Sequence, residues 1–212
     1  MNKEKIIQHI KETHNPQAII LHGSRAIGKE RGNSDWDLYL LYTDTPPHFS
    51  GREDVEGADV EWKAVKAPVK ENEILDVFGV QLQFAKVLWE EESVGSTALN
   101  AARSLYEKGV TLSKEDKERM EQYLTHKANS LKDDIDTPYM FLRHQYAFFE
   151  RAINWWFEMR GEYRKPFYVA MPRIKEEDPE YHDLLMKIAG DSPNKEKVWV
   201  AEEIAAKLFK NI

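Results

Sequence analysis

The chain has 212 residues, 42% hydrophobic and 32% charged, a composition typical of a globular protein with one large domain or two small ones. Its net charge of −7 is spread over both halves, without the basic face that polynucleotide-binding proteins carry. Cysteine is absent, which excludes disulfides and thiolate metal sites, and no apolar run is long enough to cross a bilayer. We therefore expect a cytoplasmic protein that binds neither nucleic acid nor a membrane.

A short helix and a strand lead to a turn of small residues. Residues 3–14 carry isoleucines at helical spacing, and the apolar run at 18–22 predicts a buried strand. Gly23 and Ser24 follow that strand directly. Because glycine has no side chain, a phosphate group can approach the backbone closely there, and the serine hydroxyl adds a hydrogen-bond donor. Backbone N–H groups at such a turn, ahead of a helix, attract anions, so this turn is a predicted phosphate site.

Two aspartates stand at the start of the next predicted strand. Asp35 and Asp37 flank Trp36, and the apolar residues 38–42 continue the strand. Since side chains alternate between the faces of a strand, we expect Asp35 and Asp37 on one face and Trp36 on the other. Adjacent carboxylates repel each other unless a cation lies between them, and Mg²⁺ prefers oxygen ligands while leaving positions open to substrate phosphates. The pair is therefore a predicted magnesium site.

The two motifs together carry a family resemblance. Gly23-Ser24, ten residues and then Asp35-Trp36-Asp37 resembles the G-S-x10-D-x-D signature of the DNA polymerase β-like nucleotidyltransferase superfamily. The chain is most similar to the minimal and the aminoglycoside nucleotidyltransferases. The resemblance implies an α/β (α+β) fold, with a small mixed-sheet catalytic domain at residues 1–94 and an all-α helical bundle at residues 95–212.

The resemblance also implies a role for each motif residue. Asp35 and Asp37 would hold two Mg²⁺ ions, while Gly23 and Ser24 would bind the β- and γ-phosphates of ATP or another nucleoside triphosphate. Two polar residues beside the motifs complete the predicted nucleotide-binding set: Arg25 and Ser34.

A third carboxylate is expected on the strand that follows. Residues 43–56 hold two prolines, a glycine and four acidic residues, which predict a loop, and residues 58–65 alternate as a strand does. The superfamily places its third acid on this strand, where Asp59 and Glu61 share one face. The surroundings of Glu61 resemble the general-base glutamate of the aminoglycoside enzymes, which favours Glu61 and leaves Asp59 as the alternative.

The rest of the chain is predicted to be helical. Residues 71–92 form one predicted helix, with Gly95-Ser96 as a linker, and further helices follow to the C-terminus. The predicted helix from Pro138 is apolar around most of its circumference, which is typical of the centre of a bundle. Because a helical bundle shares the acceptor site in the aminoglycoside enzymes, Arg143 and His144 on this helix are candidate substrate contacts.

The resulting hypothesis is Mg²⁺-dependent transfer of a nucleoside monophosphate, AMP from ATP by the habit of the family, to a hydroxyl of a small-molecule acceptor, with release of pyrophosphate. The acidic charge and the fused helical domain favour a small acceptor. Two alternatives remain open, an enzyme that adenylylates a protein and a catalytically silent nucleotide-binding module. The sequence identifies neither the acceptor nor the oligomeric state, for which a homodimer is one expectation.

Overall fold

Two units of different secondary structure make up the chain, which a computed structural model describes for residues 3–210. One unit ends at Lys108 and the other begins at Gly109. The first contains a mixed five-stranded sheet with helices, and the second is built from helices. The predicted fold class, a small mixed-sheet domain followed by a helical bundle, is confirmed.

The first unit alternates helices and strands. Two short 3-10 turns, Glu71–Glu73 and Gln81–Phe84, flank its third helix. Its regular elements, in chain order, are α1 (Lys3–His14), β1 (Ala18–His22), α2 (Gly23–Ala26), β2 (Trp36–Tyr42), β3 (Ser50–Val55), β4 (Ala58–Lys66), α3 (Ile74–Phe78), β5 (Lys86–Glu90) and α4 (Val94–Lys108).

The sheet has the strand order β3-β4-β2-β1-β5. Only the central pair β2 and β4 is parallel, and the other neighbours are antiparallel. In the parallel pair Asp37 lies opposite Glu61, and on the other side of β2 it lies opposite His22 at the end of β1. The start of β2 is therefore flanked by the residues that end β1 and by the middle of β4.

Each face of the sheet is covered by helices. Helix α1 buries Ile6 and Ile10 on the face that carries Trp36 and Leu38. Helices α3 and α4 cover the opposite face, which carries Ile20 of β1 and Tyr39 and Leu41 of β2. The side chain of Asp37 belongs to this second face because it alternates with Trp36 and Leu38.

The predicted helix over 71–92 is wrong at its C-terminal end. Gly79 ends α3 with a φ of +57°, and residues 86–90 form strand β5 at the edge of the sheet. Val87, Leu88 and Trp89 suit a pleated strand, and β5 pairs along the free side of β1. The apolar residues of helix α3 and of strand β5 belong to two separate elements, but their spacing along the chain resembles that of one helix.

The predicted loop over 43–56 is wrong at residues 50–55, which form β3. This edge strand is polar, so its sequence lacks an apolar face, but it pairs with β4 over its whole length. Glu56 and Gly57 join the two strands with positive φ at both positions, 53° and 81°. These angles match a type I′ hairpin turn, whose backbone twist suits two antiparallel strands.

The second unit packs around α6. Helix α6 contacts α5, α8 and α9, and its C-terminal half buries large side chains such as Phe148, Trp156 and Phe157. The C-terminal half of α6 therefore lies in the core of the unit, whereas Tyr139, Leu142 and Tyr146 in its N-terminal half are exposed. The helices of the unit are α5 (Lys114–Asp133), α6 (Pro138–Glu158), α7 (Phe167–Glu177), α8 (Pro179–Ala189) and α9 (Asn194–Leu208). No helix within residues 3–210 is long and apolar enough to span a membrane.

The predicted domain boundary after residue 94 falls at the start of α4. Gly95 and Ser96, the predicted linker, lie in the first turn of that helix, which packs on β5. The two compact units meet further along the chain, between Lys108 and Gly109. The domain boundary at residue 94 remains a prediction, and the division in packing lies further along the chain.

Strand β3 can be tested through Gly51, which lies against the indole of Trp62. A Cβ atom at Gly51 would lie 2.5 Å from Cζ2 of Trp62, a side chain that is 5% exposed and cannot easily move. We expect Gly51→Ala to lower the free energy of unfolding by about 1–3 kcal/mol, as overpacking does. Gly32→Ala is the control because a Cβ there meets nothing within 4 Å. Equal stability of the two variants in urea unfolding would contradict the placement of β3.

Candidate active site

Three carboxylates converge on the α3 and α4 face of the sheet. Asp35 precedes β2, Asp37 is its second residue, and Glu61 lies opposite Asp37 on β4. One carboxylate oxygen from each of the three lies within 4.8 Å of the others. The structure thus brings together both predicted metal ligands and one of the two candidates for the third acid.

Within this cluster, the pKa of the Asp37 carboxyl is raised. Burial, followed by the neighbouring charges of Asp35 and Glu61, raises the pKa of Asp37 from 3.8 to about 6. Lys63 and Arg25 act in the opposite direction but do not offset these effects. A cation bound among the three oxygens would remove the repulsion that raises this pKa.

Asp59, the alternative third acid, has another partner. Its two carboxylate oxygens accept from Nε and Nη2 of Arg52 on β3, with 2.7 Å between Nε and Oδ1. This ion pair lowers the pKa of Asp59. Glu61 lies in the cluster with Asp35 and Asp37. Asp59 lies on the same face of β4, but its carboxylate pairs with Arg52.

Gly23 is required where β1 ends because the Asp37 carboxylate occupies the space of a side chain. A Cβ atom at Gly23 would lie 2.1 Å from Oδ2 of Asp37, and the φ of Gly23 is +72°. Both the contact and the backbone angle favour glycine. Ser24 follows in the short helix α2 and is half-buried. The turn that the sequence predicts to be a phosphate site therefore packs directly on the Asp37 carboxylate.

The guanidinium of Arg25 binds the loop that carries Asp35. Nε donates to the carbonyl oxygen of Asp35 at 2.9 Å and to that of Ser34 at 3.2 Å, and Nη2 also donates to Ser34. The group lies 4.9 Å from the ring centroid of Trp36. The hydroxyl of Ser34 accepts from the backbone N–H of Arg31 at 2.8 Å. In this geometry Arg25 positions Asp35, and phosphate contacts by Arg25 and Ser34 remain predictions.

Two residues beside the cluster were missed by the sequence reading. His22 is 8% exposed and stacks on Tyr39, with 4.4 Å between the ring centroids. Burial and the charge of Lys63 lower the pKa of His22 to about 4, so its imidazole is neutral at pH 7. Lys63 shares the face of Glu61 and forms no salt bridge with another residue in the range 3–210. Its position two residues after Glu61 on an alternating strand was the signal that could have identified it.

The two predicted substrate contacts lie in the helical unit. Arg143 is exposed on α6. His144, beside it, has Nε2 at 3.2 Å from a carboxylate oxygen of Asp134. Both residues belong to a different unit from the carboxylate cluster, and their contact with an acceptor remains a prediction.

The donor set of the cluster fits a magnesium ion. It consists of three carboxylates, the oxygen ligands that hard divalent cations prefer, and includes no imidazole or thiolate. Burial, and then the charges of Asp35 and Glu61, raise the pKa of Asp37, and a divalent cation would offset the repulsion among the three acids. Asp35, Asp37 and Glu61 are therefore the residues that would hold the ion.

Comparison with known proteins agrees with this site. Residues 4–78 match the family model described as polymerase beta, nucleotidyltransferase, which includes all three carboxylates and the Gly23-Ser24 turn. Eight solved chains match the structure, among them a nucleotidyltransferase-like protein from Exiguobacterium sibiricum 255-15. That similarity has a TM-score of 0.50 at 12% sequence identity and covers 98% of this chain and 74% of the other. No protein with a curated description matches.

The fold and the carboxylate cluster define a nucleotidyltransferase domain. Residues 4–78 place that domain in the polymerase β-like superfamily, as the G-S-x10-D-x-D motif predicted. The family match is confined to residues 4–78, and the helical unit that begins at Gly109 lies outside it.

The repulsion at Asp37 predicts a stability gain when its charge is removed. Because the folded-state pKa of about 6 exceeds the ordinary 3.8, the folded protein loses stability as pH rises between these values and keeps the deficit above pH 6. In EDTA, we expect Asp37→Asn to raise the melting temperature at pH 8 by roughly 2–4 °C and to have little effect at pH 4.

The matched control for this prediction is Asp59→Asn, which changes a carboxylate on the same sheet face whose pKa is lowered by Arg52. It should not raise the melting temperature at pH 8. Added Mg²⁺ should stabilise the parent and not Asp37→Asn. Equal melting temperatures for parent and Asp37→Asn in EDTA at pH 8 would contradict the repulsive cluster.

A second prediction separates the contact at Gly23 from its backbone angle. Gly23 and Gly28 have nearly the same φ, +72° and +70°, but a Cβ at Gly28 meets nothing within 4 Å. Both alanine variants should lose on the order of 1 kcal/mol of stability through strain. Only Gly23→Ala should displace the Asp37 carboxylate, and we expect it to weaken Mg²⁺ binding at least about tenfold in calorimetric titration. Equal Mg²⁺ affinities of the two variants would contradict the packing of Gly23 on Asp37.

Proposed function

We propose that this protein transfers a nucleoside monophosphate from a nucleoside triphosphate, with ATP as the expected donor, to a hydroxyl group of a small molecule. The observation that carries the proposal is the convergence of Asp35, Asp37 and Glu61 within 4.8 Å on a domain of the nucleotidyltransferase superfamily. In the reaction a bond forms between the acceptor oxygen and the α-phosphorus. The bond from the α-phosphorus to the oxygen bridging to the β-phosphate breaks, and pyrophosphate leaves.

The turn after β1 is proposed to bind the donor. Gly23 brings the backbone close to the Asp37 carboxylate, so phosphates bound at the turn would lie beside the carboxylate cluster. Ser24 supplies a hydroxyl donor for a phosphate oxygen. Lys63, on the same sheet face as Glu61 and close enough to Asp37 to influence its pKa, adds positive charge for the phosphates and the departing pyrophosphate.

Asp35 and Asp37 are proposed to hold two magnesium ions, and Glu61 would complete the set of carboxylate ligands. Bound Mg²⁺ would supply charge stabilisation to the attacking and leaving oxygens of the phosphoryl transfer. The guanidinium of Arg25 keeps Asp35 in place by donating to the backbone carbonyl of Asp35. The Gly23 turn confines the Asp37 carboxylate from the other side.

Glu61 is also the residue best placed to take the proton of the acceptor hydroxyl. It is partly exposed and has no side-chain salt bridge with another described residue. Asp59 is less suited because Arg52 holds its carboxylate and lowers its pKa, which makes it a weaker base. The proton would pass from the hydroxyl to the carboxylate as the new phosphorus–oxygen bond forms.

A small acceptor is favoured over a polynucleotide by charge. The chain has 37 acidic and 30 basic residues, and a polynucleotide acceptor would require a surface that neutralises many phosphates. A hydroxylated molecule, particularly a cationic one such as an aminoglycoside-like compound, is compatible with this charge.

The proposal is tested by calorimetric titration with non-hydrolysable analogues of ATP, GTP, CTP and UTP, with and without Mg²⁺. We expect Mg²⁺-dependent binding of the ATP analogue, and we expect Asp35→Ala to weaken it at least about a hundredfold. Losing a metal ligand should lower the affinity no less than losing a residue that supports a ligand. Asp59→Ala is the control on the same face, and it should bind the analogue as the parent does.

Turnover is then measured as pyrophosphate release in the presence of pooled polyols, aminoglycosides or candidate proteins. Acceptor-dependent release with the small molecules supports the proposal, and modification of protein alone would favour adenylylation of a protein. Mg²⁺-dependent binding without release for any acceptor class would favour a silent nucleotide-binding module. Failure of all four analogues to bind would overturn the nucleotide site itself.

A further inference from the structure

The helical unit contains a cavity of its own, with a volume of about 370 Å³. It is lined by Lys117 from α5, Trp156 from α6, Tyr181 from α8 and Lys207 from α9, so four helices contribute to it. Cavities that hold small organic ligands start at about this size. The cavity belongs entirely to the unit that begins at Gly109, whereas the carboxylate cluster belongs to the other unit.

Positive charge predominates in the lining. Lys117, Arg160 and Lys207 face one carboxylate, that of Asp178. Asp178 lies 3.5 Å from Nη2 of Arg160 and 3.8 Å from Nζ of Lys207, near the outer limit of an ion pair. Lys207 also contacts the exposed carboxylate of Glu180. Lys117 forms no salt bridge with another residue in the described part of the chain, so its charge is available to a ligand.

Trp156 adds an unused hydrogen-bond donor. Its side chain is 0% exposed, and its Nε1–H has no hydrogen-bond partner among residues 3–210. A buried N–H without a partner is unfavourable, because it loses its hydrogen bond to water. Tyr181, by contrast, uses its hydroxyl by donating to the carbonyl of Ala152 at 3.1 Å.

Arg160 brings its charge directly to the indole. Its guanidinium carbon lies 3.6 Å from the ring centroid of Trp156, and its Nη1 donates to the Trp156 carbonyl at 3.0 Å. Burial lowers the pKa of Arg160, although the carboxylates of Asp178 and Glu177 act in the opposite direction. The charge of Arg160 therefore lies against the indole that carries the unpaired N–H.

We propose that this cavity is a binding site for a small organic anion. An oxyanion, either phosphate or carboxylate, would accept from Lys117 and Arg160, which supply positive charge to the lining beside the indole of Trp156. Met159 and Leu208 offer apolar surface for the body of the ligand. The site is independent of nucleotidyl transfer and is tested without nucleotide or metal.

The test uses the indole N–H resonance of Trp156 in a ¹H–¹⁵N spectrum of the full chain, assigned with Trp156→Phe. The probes are inorganic phosphate, phenyl phosphate and benzoate, with sodium chloride at equal ionic strength as the reference. We expect the Trp156 resonance to shift saturably with at least one probe at millimolar concentration, the range of weak but specific binding. Comparison of phenyl phosphate with benzoate then distinguishes phosphate from carboxylate.

Two lysine variants of α5 decide whether the shift reports this site. Lys117→Met should weaken binding on the order of tenfold, because it removes a charged hydrogen-bond donor, while exposed Lys132→Met should bind as the parent does. The other indole resonances verify that each variant is folded. No saturable shift in the parent, or the same affinity in Lys117→Met, would overturn the proposal and leave water as the partner of the Trp156 N–H.

Discussion

Mutual repulsion among three carboxylates is the constraint on which the active site depends. The parallel pairing of β2 and β4 places Asp37 opposite Glu61, and the alternation of β2 puts Asp35 on the same side. The fold thus holds negative charges within 4.8 Å of one another where it could have separated them. Such an arrangement costs stability, and it persists in proteins when the repelling groups bind a cation or take part in chemistry.

The surrounding residues keep the cluster from relaxing. Gly23 leaves room for the Asp37 carboxylate and no more, and Arg25 holds the carbonyl of Asp35. Arg52 takes Asp59 away from the cluster, so that the β4 face presents one acid there instead of two. These contacts hold the three carboxylate oxygens in a fixed geometry at a cost in stability or charge, as expected of a preorganised metal site.

Sequence patterns predicted the positions of the carboxylates better than the contacts that support them. The fixed spacing of the motif and the period of two in β2 gave the positions of Asp35 and Asp37, since both depend on local backbone geometry. Side-chain alternation could not separate Glu61 from Asp59 because both lie on one face of β4, and only the family resemblance favoured Glu61. The choice between them depends on Arg52, which β3 supplies, and β3 was predicted as a loop because an exposed edge strand has no apolar face. Likewise, sequence adjacency placed Arg25 near phosphate but could not show that its guanidinium reaches the carbonyls of residues 34 and 35.

The central claim, that Asp37 is held in a repulsive cluster which a divalent cation relieves, is tested most directly by ¹³C NMR titration of its side-chain carboxyl. Without metal, the carboxyl should titrate near pH 6, and with saturating Mg²⁺ its pKa should fall below the ordinary 3.8. Titration near pH 4 in both conditions, unaffected by Mg²⁺, would contradict the account. It would mean that the three acids neither repel one another strongly nor share a metal.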